Sequence, residues 1–396
     1  MTDDLLETAR SLQDRTVELR RDLHRHPELG NELPRTQGVV LDAIADLGLD
    51  VRTGTSVTSV VATLDTGRPG GTVLLRGDMD ALPMPEDTDV DFASEVPGTM
   101  HACGHDAHTA MLASAARLLV DRADDLTGKL VFMFQPGEEG HHGARHMLEE
   151  GLLDGLHVTR AFAIHQTPSM PSGMIATKPG PMMASADEFV VEVTGRGGHA
   201  AMPHHANDPV PVACEMVGAF QTMLTRRVDV FDPAVVTVGS IRAGTTDNVI
   251  PESARLLGTI RAVSERTRSL VHAELERLAT HIAAAHDMTA EFTIHEGFPV
   301  TVNDADAAAW VADVAGRLIG ADKVVQMPSP VMGAEDWSYV LQQVPGAMAF
   351  LGTCPPDVPF HEAAPNHSNR MVIDEDAMAV GVALHAAIAL DELGTA

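Results

Sequence analysis

The stretch KLVFMFQPGEEG (residues 129–140) decides the fold. After its lysine, KLVFMF is apolar throughout. A strand with one wet face alternates apolar and polar residues, whereas a strand buried on both faces does not, and such strands belong to parallel sheets. This strand runs straight into a proline, a glycine and two adjacent glutamates. Sites in open parallel sheets form just outside the carboxyl ends of the strands. Glu138 and Glu139 therefore stand where chemistry is expected.

Working outward, residues 59–64 and 72–75 are short apolar runs of the same kind, and RAFAI (160–164) ends on His165. Helical periodicity fills the intervals, at 3–26, 35–47, 106–120 and 141–150. Strands alternating with helices imply an α/β domain with a mostly parallel sheet. After Pro179-Gly180-Pro181 the texture changes. EFVVEVT (188–194) alternates, a helix is expected over 208–225, strands at 234–240 and 254–261, a long helix over 264–286 and a strand at 291–295. This reads as a β-α-β-β-α-β unit with an antiparallel sheet. Beyond Gly297-Phe298-Pro299 the α/β texture returns, with helices at 304–319 and 374–391. The order predicts a catalytic domain in two parts, 1–183 and 295–396, with a ferredoxin-like α+β domain inserted at 184–294.

Of the 396 residues, 27 are basic and 56 acidic, for a net charge of −29. Nucleic acids and anionic membranes are bound through basic patches, so neither is an expected partner. Three cysteines do not make a disulfide framework and fit a reducing cytoplasm. The N-terminus lacks the basic start and apolar block of a signal peptide, and no apolar run is long enough to span a bilayer.

HACGHDAH (101–108) holds three histidines, a cysteine and an aspartate. Thiolate, imidazole and carboxylate bind borderline transition metals. Cys103 and His105 make only a pair, and Glu138-Glu139, His165 and His367 supply further donors. Adjacent glutamates suit a metal site, since one can bind the ion while the other acts as general base toward an activated water. Taken singly, each residue has an ordinary explanation: a solvated acidic turn, a strand-end or surface histidine, a buried small cysteine. Asp78 and Asp80, in RGDMDALP, offer either a carboxylate that orients a ligating imidazole or an Asx turn before Pro83. His101, His108, His141, His142, His146, His204 and His205 remain without an assigned role.

RGDMDALPMPE, HACGHDAHTAML, QPGEEGHHGARHMLEEG, GGHAAMPHHANDPV, NVIPESARLLGTIR and PNHS…IDEDA, with RRDLHRHPELG before them, resemble the M20 metallopeptidase family in order along the chain. The resemblance is strongest to its amidohydrolase branch of hippurate hydrolases, N-acyl-amino-acid hydrolases and auxin-conjugate hydrolases. It implies that Cys103, His105, Glu139, His165 and His367 hold two divalent ions, with Glu138 as general base and Asp80 steadying a ligand. Asp78 stands where relatives outside this branch have a ligating histidine. The resemblance further implies that the inserted domain serves as lid and homodimer interface, and that His199 reaches a neighbouring subunit's site to stabilise the oxyanion. It makes Asn248 and Arg261 the groups that hold the substrate's carboxylate, for which Arg261's planar fork is suited. The function implied is hydrolysis of N-acyl-L-amino acids to a carboxylic acid and an amino acid. A dipeptidase or carboxypeptidase using the same site is the alternative among enzymes, and a metal-binding scaffold without catalysis is the alternative outside them. The thiolate favours zinc, and the other donors also accept manganese or cobalt.

Overall fold

The computed structural model describes residues 2–395. Two compact units divide the chain. The first takes the residues up to Met182, Val302–Ser329 and those from Asp336 onward; the second takes Met183–Thr301 with Pro330–Glu335.

The first unit is built on an eight-stranded sheet in the order Asp50–Thr53, Val60–Asp65, Lys129–Gln135, Thr72–Asp78, Val158–Pro171, Gly346–Cys354, Ile175–Thr177, Val324–Gln326. The four strands from Lys129–Gln135 to Gly346–Cys354 run parallel. Every residue of Thr72–Asp78 is buried, as is all of Lys129–Gln135 after its lysine. The lack of alternation in KLVFMF thus reflects cover on both faces. Asp50–Thr53 pairs antiparallel with Val60–Asp65, and Val60–Asp65 with Lys129–Gln135. The six-residue link between the first two is too short for a parallel crossover.

Helix His105–Asp121 buries fourteen of its seventeen residues, mostly polar ones over His105–Thr109 and apolar ones from Ala110 onward apart from Ser114. It shares one core with helix Met378–Leu393, through Met111, Leu112 and Leu118 on one and Val382 and Ile388 on the other. The helix expected over 3–26 is two, Thr2–Ser11 and Gln13–Arg25. The Thr8 and Ser11 hydroxyls donate to the carbonyls of Asp4 and Thr8 just before the break. Such back-bonding bends helices.

The second unit carries a four-stranded antiparallel sheet in the order Ala234–Ala243, Ser253–Ala262, Asp187–Thr194, Thr289–Glu296. Asp187–Thr194 alternates buried and accessible residues, as one covered face requires. Helices Pro209–Arg227 and Glu265–Ala285 supply the cover, packing Val212, Met216, Phe220, Val271 and Leu275 against Phe189, Val191, Val193, Leu256 and Ile260. Asp208 and Ser264 cap them, accepting from Val210 N and Thr267 N. A two-stranded ribbon, Gly198–His199 with Val249–Ile250, completes the unit.

Candidate metal centre and catalytic residues

Asp78, Asp80, Glu138 and Glu139 stand at or just beyond the carboxyl ends of two parallel strands, whereas His165, expected to end its strand, lies inside it. Asp78 ends Thr72–Asp78, and Asp80 lies two residues beyond. Glu138 and Glu139 follow Lys129–Gln135, and His165 lies within Val158–Pro171. Gly104, at φ +83°, turns the chain so that Cys103 precedes helix His105–Asp121 and His105 opens it.

Asp80 organises the cluster. Its two carboxylate oxygens accept the backbone N–H groups of Glu138 and Glu139, each at 2.9 Å, and fix the pair of glutamates. Its backbone carbonyl accepts from His105 Nδ1 at 2.8 Å. That bond puts the proton on Nδ1 and leaves Nε2 as a bare donor atom. His105 Nε2 is buried without a hydrogen-bond partner, and so is Glu139 Oε1. The two atoms are 3.9 Å apart, and Glu138 Oε2 is 3.9 Å from the same nitrogen.

His165 is set the same way. Its Nδ1 donates to the Gln166 carbonyl at 2.7 Å, and its Nε2 lies 3.4 Å from Cys103 Sγ. His367 adopts a left-handed backbone at φ +66° and donates its own N–H to the Ala102 carbonyl at 2.7 Å. Its Nε2 lies 3.2 Å from Glu139 Oε1. Donor atoms within 4.8 Å of one another form, among others, the groups Cys103–His105–His165, Cys103–Glu139–His367, His105–Glu138–Glu139 and Asp78–His105–His108.

The electrostatics fit a cation here. Burial, with neighbouring His108, holds His165 well below the usual imidazole range, which keeps it neutral and able to bind metal. Burial and the Glu139 carboxylate push the Cys103 thiol up. Cys103 and Glu139 pull His367 up to about 10. The cluster thus holds protons that a divalent ion would displace. A buried imidazole nitrogen without a hydrogen-bond partner, facing the Glu139 carboxylate beside a thiol, suits a borderline cation such as zinc.

In the second unit, His199 and Asn248 lie together. His199 pairs with Val249 across the ribbon, and Ala200 N donates to the Asn248 carbonyl at 3.1 Å. Both residues are exposed. Arg261 is elsewhere. It pairs with Val235, whereas the ribbon leaves the sheet beyond the Ala243–Ala254 pair. Seven residues of strand separate the two ends, about 23 Å. The structure does not bring Asn248 and Arg261 together in one chain. The Arg261 guanidinium is half-buried, and among the described residues no carboxylate pairs with it; burial pushes its pKa down, with Asp187 and Glu188 opposing from a distance.

Sequence reading missed Gln166 and Asn366. Each adjoins a candidate ligand, His165 and His367, and each is hydrogen-bonded to the cluster. That adjacency was their only signal.

Residues 74–391 match the model of peptidase family M20/M25/M40. The chain belongs to this family. It is 38% identical over 400 residues to thermostable carboxypeptidase 1 of Saccharolobus solfataricus, covering 98% of each chain. It is 35% identical over 387 residues to an N-acetylcysteine deacetylase of Bacillus subtilis, covering 98% of this chain and 99% of that one. Among solved structures, a dinuclear metal-binding M20 peptidase from Bacillus subtilis superposes with a TM-score of 0.84 at 32% identity, over 96% of this chain and 98% of that one. The M20 chain described here is a metal-dependent amidohydrolase. None of its described helices is long and apolar enough to cross a membrane.

Proposed function

We propose that this M20 enzyme hydrolyses the amide bond of N-acyl-L-amino acids, releasing a carboxylic acid and a free amino acid. The observation that carries the reading is Arg261. A half-buried guanidinium with no carboxylate partner among the described residues, in a chain with 56 acidic residues, is suited to an anion from outside. The deacetylase and carboxypeptidase relatives support it, because both names describe substrates with a free carboxylate.

Cys103, His105, Glu139, His165 and His367 are the proposed holders of two divalent ions, zinc first, with manganese or cobalt as alternatives. When bound, the ions would supply Lewis-acid charge and a water acidified toward neutral pH. Glu138 is the proposed general base. Its carboxylate takes the proton of the attacking water and returns it to the leaving nitrogen. Asp80, gripping the N–H groups of both glutamates, keeps the base beside the ligand.

The oxyanion donor comes from a second subunit in this proposal. Arg261 stands at the end of the four-stranded sheet away from the two-stranded ribbon that carries His199, so one small substrate is not expected to meet both from the same chain. A homodimer in which the partner subunit's His199 enters the site removes the conflict. Strand Ala234–Ala243 offers the pairing edge: its ten residues carry one charge, Arg242, and Val235 and Ile241 are exposed. The opposite edge, Thr289–Glu296, carries Glu291 and Glu296 and is guarded against pairing. A cytoplasmic enzyme is the reading that its three cysteines, none of them paired, support.

The carboxypeptidase relative favours a second reading, removal of the carboxyl-terminal residue of peptides by a dipeptidase or carboxypeptidase with the same site. A panel of N-acetyl-L-amino acids and matched dipeptides, assayed for amino-acid release with and without chelator, decides. Chelator-sensitive release from the N-acyl series supports the first reading; release from dipeptides alone supports the second.

A further inference from the structure

Behind the metal cluster lies a buried polar lattice that includes no proposed ligand side chain. His108 is 1% exposed, and Asp78, Gln135, Gln166 and Asp336 are fully buried. His108 Nδ1 donates to Asp78 Oδ1 at 2.6 Å, and His108 Nε2 accepts the Gln166 backbone N–H at 2.8 Å. Both ring nitrogens of His108 are thereby used. Asp78 Oδ2 is ion-paired with Arg76 Nη1 at 2.7 Å. Arg76 Nε donates to Gln135 Oε1 at 2.9 Å, and Gln135 Nε2 donates to Asp336 Oδ1 at 2.7 Å. Asp336 Oδ2 in turn accepts from Ala144 N at 2.9 Å.

Gln166 is the hub. Its side-chain amide donates to the Cys103 carbonyl at 2.8 Å and to Asn366 Oδ1 at 3.3 Å, while its Oε1 accepts from Thr353 Oγ1 at 2.7 Å. Its carbonyl accepts from His165 Nδ1 and Asn366 Nδ2. A Cβ on residue 104 would collide with this amide, which accounts for a glycine between Cys103 and His105. The lattice therefore touches every segment that carries a candidate ligand. His108 lies one turn beyond His105, and Gln166 adjoins His165 and holds Cys103. Asn366 adjoins His367, and Gln135 and Ala144 flank Glu138-Glu139.

We propose that this lattice, with His108 and Gln166 at its centre and Asp78 as its anchor, positions the metal-binding side chains, and that Asp78 itself makes no metal bond. Asp78 Oδ2 lies 3.4 Å from His105 Nε2, close enough to share a cation by distance alone. An ion bridging those atoms would sit against the Arg76 guanidinium, and the repulsion between the two cations at that range disfavours it. Carboxylates and amides that orient ligands in this way set metal affinity typically by 10–100-fold.

The inference rests on the two-ion reading above, and one experiment separates the two. Zinc binding to wild type, Asp78→Asn and His108→Asn is titrated against a chromophoric chelator, and the visible spectrum of each cobalt(II)-loaded protein is recorded. If the wild type binds no zinc, the two-ion reading fails. If it binds two ions, the positioning role predicts that both variants still bind two, with affinity about 10–100-fold lower and displaced cobalt bands. Loss of one whole equivalent from Asp78→Asn makes Asp78 a ligand and overturns the inference. Wild-type affinity and spectrum in both variants, even with a lowered unfolding temperature, leave the lattice a purely structural role and also overturn it. Should Asp78→Asn not fold, because it removes one of the carboxylates that the buried Arg76 meets, affinity and spectrum of His108→Asn decide.

Discussion

Replacing Arg261 by alanine removes a half-buried guanidinium that pairs with no carboxylate among the described residues. If it grips the substrate's carboxylate through both arms of its fork, two charge-assisted hydrogen bonds are lost. Each contributes about 1.5 kcal/mol or more, so the loss is about 3 kcal/mol. That corresponds to about a hundredfold in kcat/KM. The carboxylate is held equally in ground and transition states, so most of the change should fall on KM. Arg261→Lys keeps the charge without the fork and should recover part of it, about tenfold. The decisive assay compares an N-acetyl-L-amino acid with its C-terminal carboxamide. Wild type should prefer the acid by about the same hundredfold, and Arg261→Ala should lose that preference. Equal discrimination by the two proteins would refute the role.

Three further outcomes are expected. In a Cys214→Ser background, which removes the exposed thiol, Cys103 should label slowly in metal-loaded protein and quickly after chelation; equal rates would return it to an inert buried cysteine. Inactive His199→Ala and inactive Glu138→Gln chains, mixed and shown by mass to form heterodimers, should regain activity; no recovery would place His199 in its own chain's site or only in the structure of the second unit. Asp187 tests a different term: burial raises its pKa, but hydrogen bonds from His272 and Arg268 outweigh this and hold it at about 2. A folded pKa below the unfolded value stabilises at pH above about 4, and the stabilisation fades as pH falls toward 2. Asp187→Asn should therefore be less stable than wild type to urea at pH 7, with the gap narrowing between pH 4 and pH 3; a gap independent of pH would contradict the assignment.

What could be read from the chain follows from how local each signal is. Lys129–Gln135 and the first half of Val158–Pro171 announce themselves by apolar runs; the loop after the first carries the glutamates, whereas His165, expected to end its strand, lies inside it. The alternation in Asp187–Thr194 likewise exposes a sheet with one covered face. Strand Gly346–Cys354 is central to the main sheet yet reads poorly, because GAMAFLGTC is rich in glycine, alanine and methionine, which have little strand preference. The Gly198–His199 ribbon is too short to show a period. His108 carries no mark that separates it from six other unassigned histidines, since its partners, Asp78 and Gln166, lie 30 and 58 residues away. The separation of Asn248 from Arg261 depends on strand register, which composition does not encode.

The central claim is that Glu138 acts as general base over a metal centre that cleaves an amide. The most direct measurement is the rate at which Glu138→Gln, loaded with the same two equivalents of metal as wild type, releases amino acid from an N-acetyl-L-amino acid. Glutamine keeps the size of the side chain and the backbone bond to Asp80, so fold and metal content should hold while turnover falls about 10²–10⁴-fold. Near-wild-type turnover at full metal load would contradict the account.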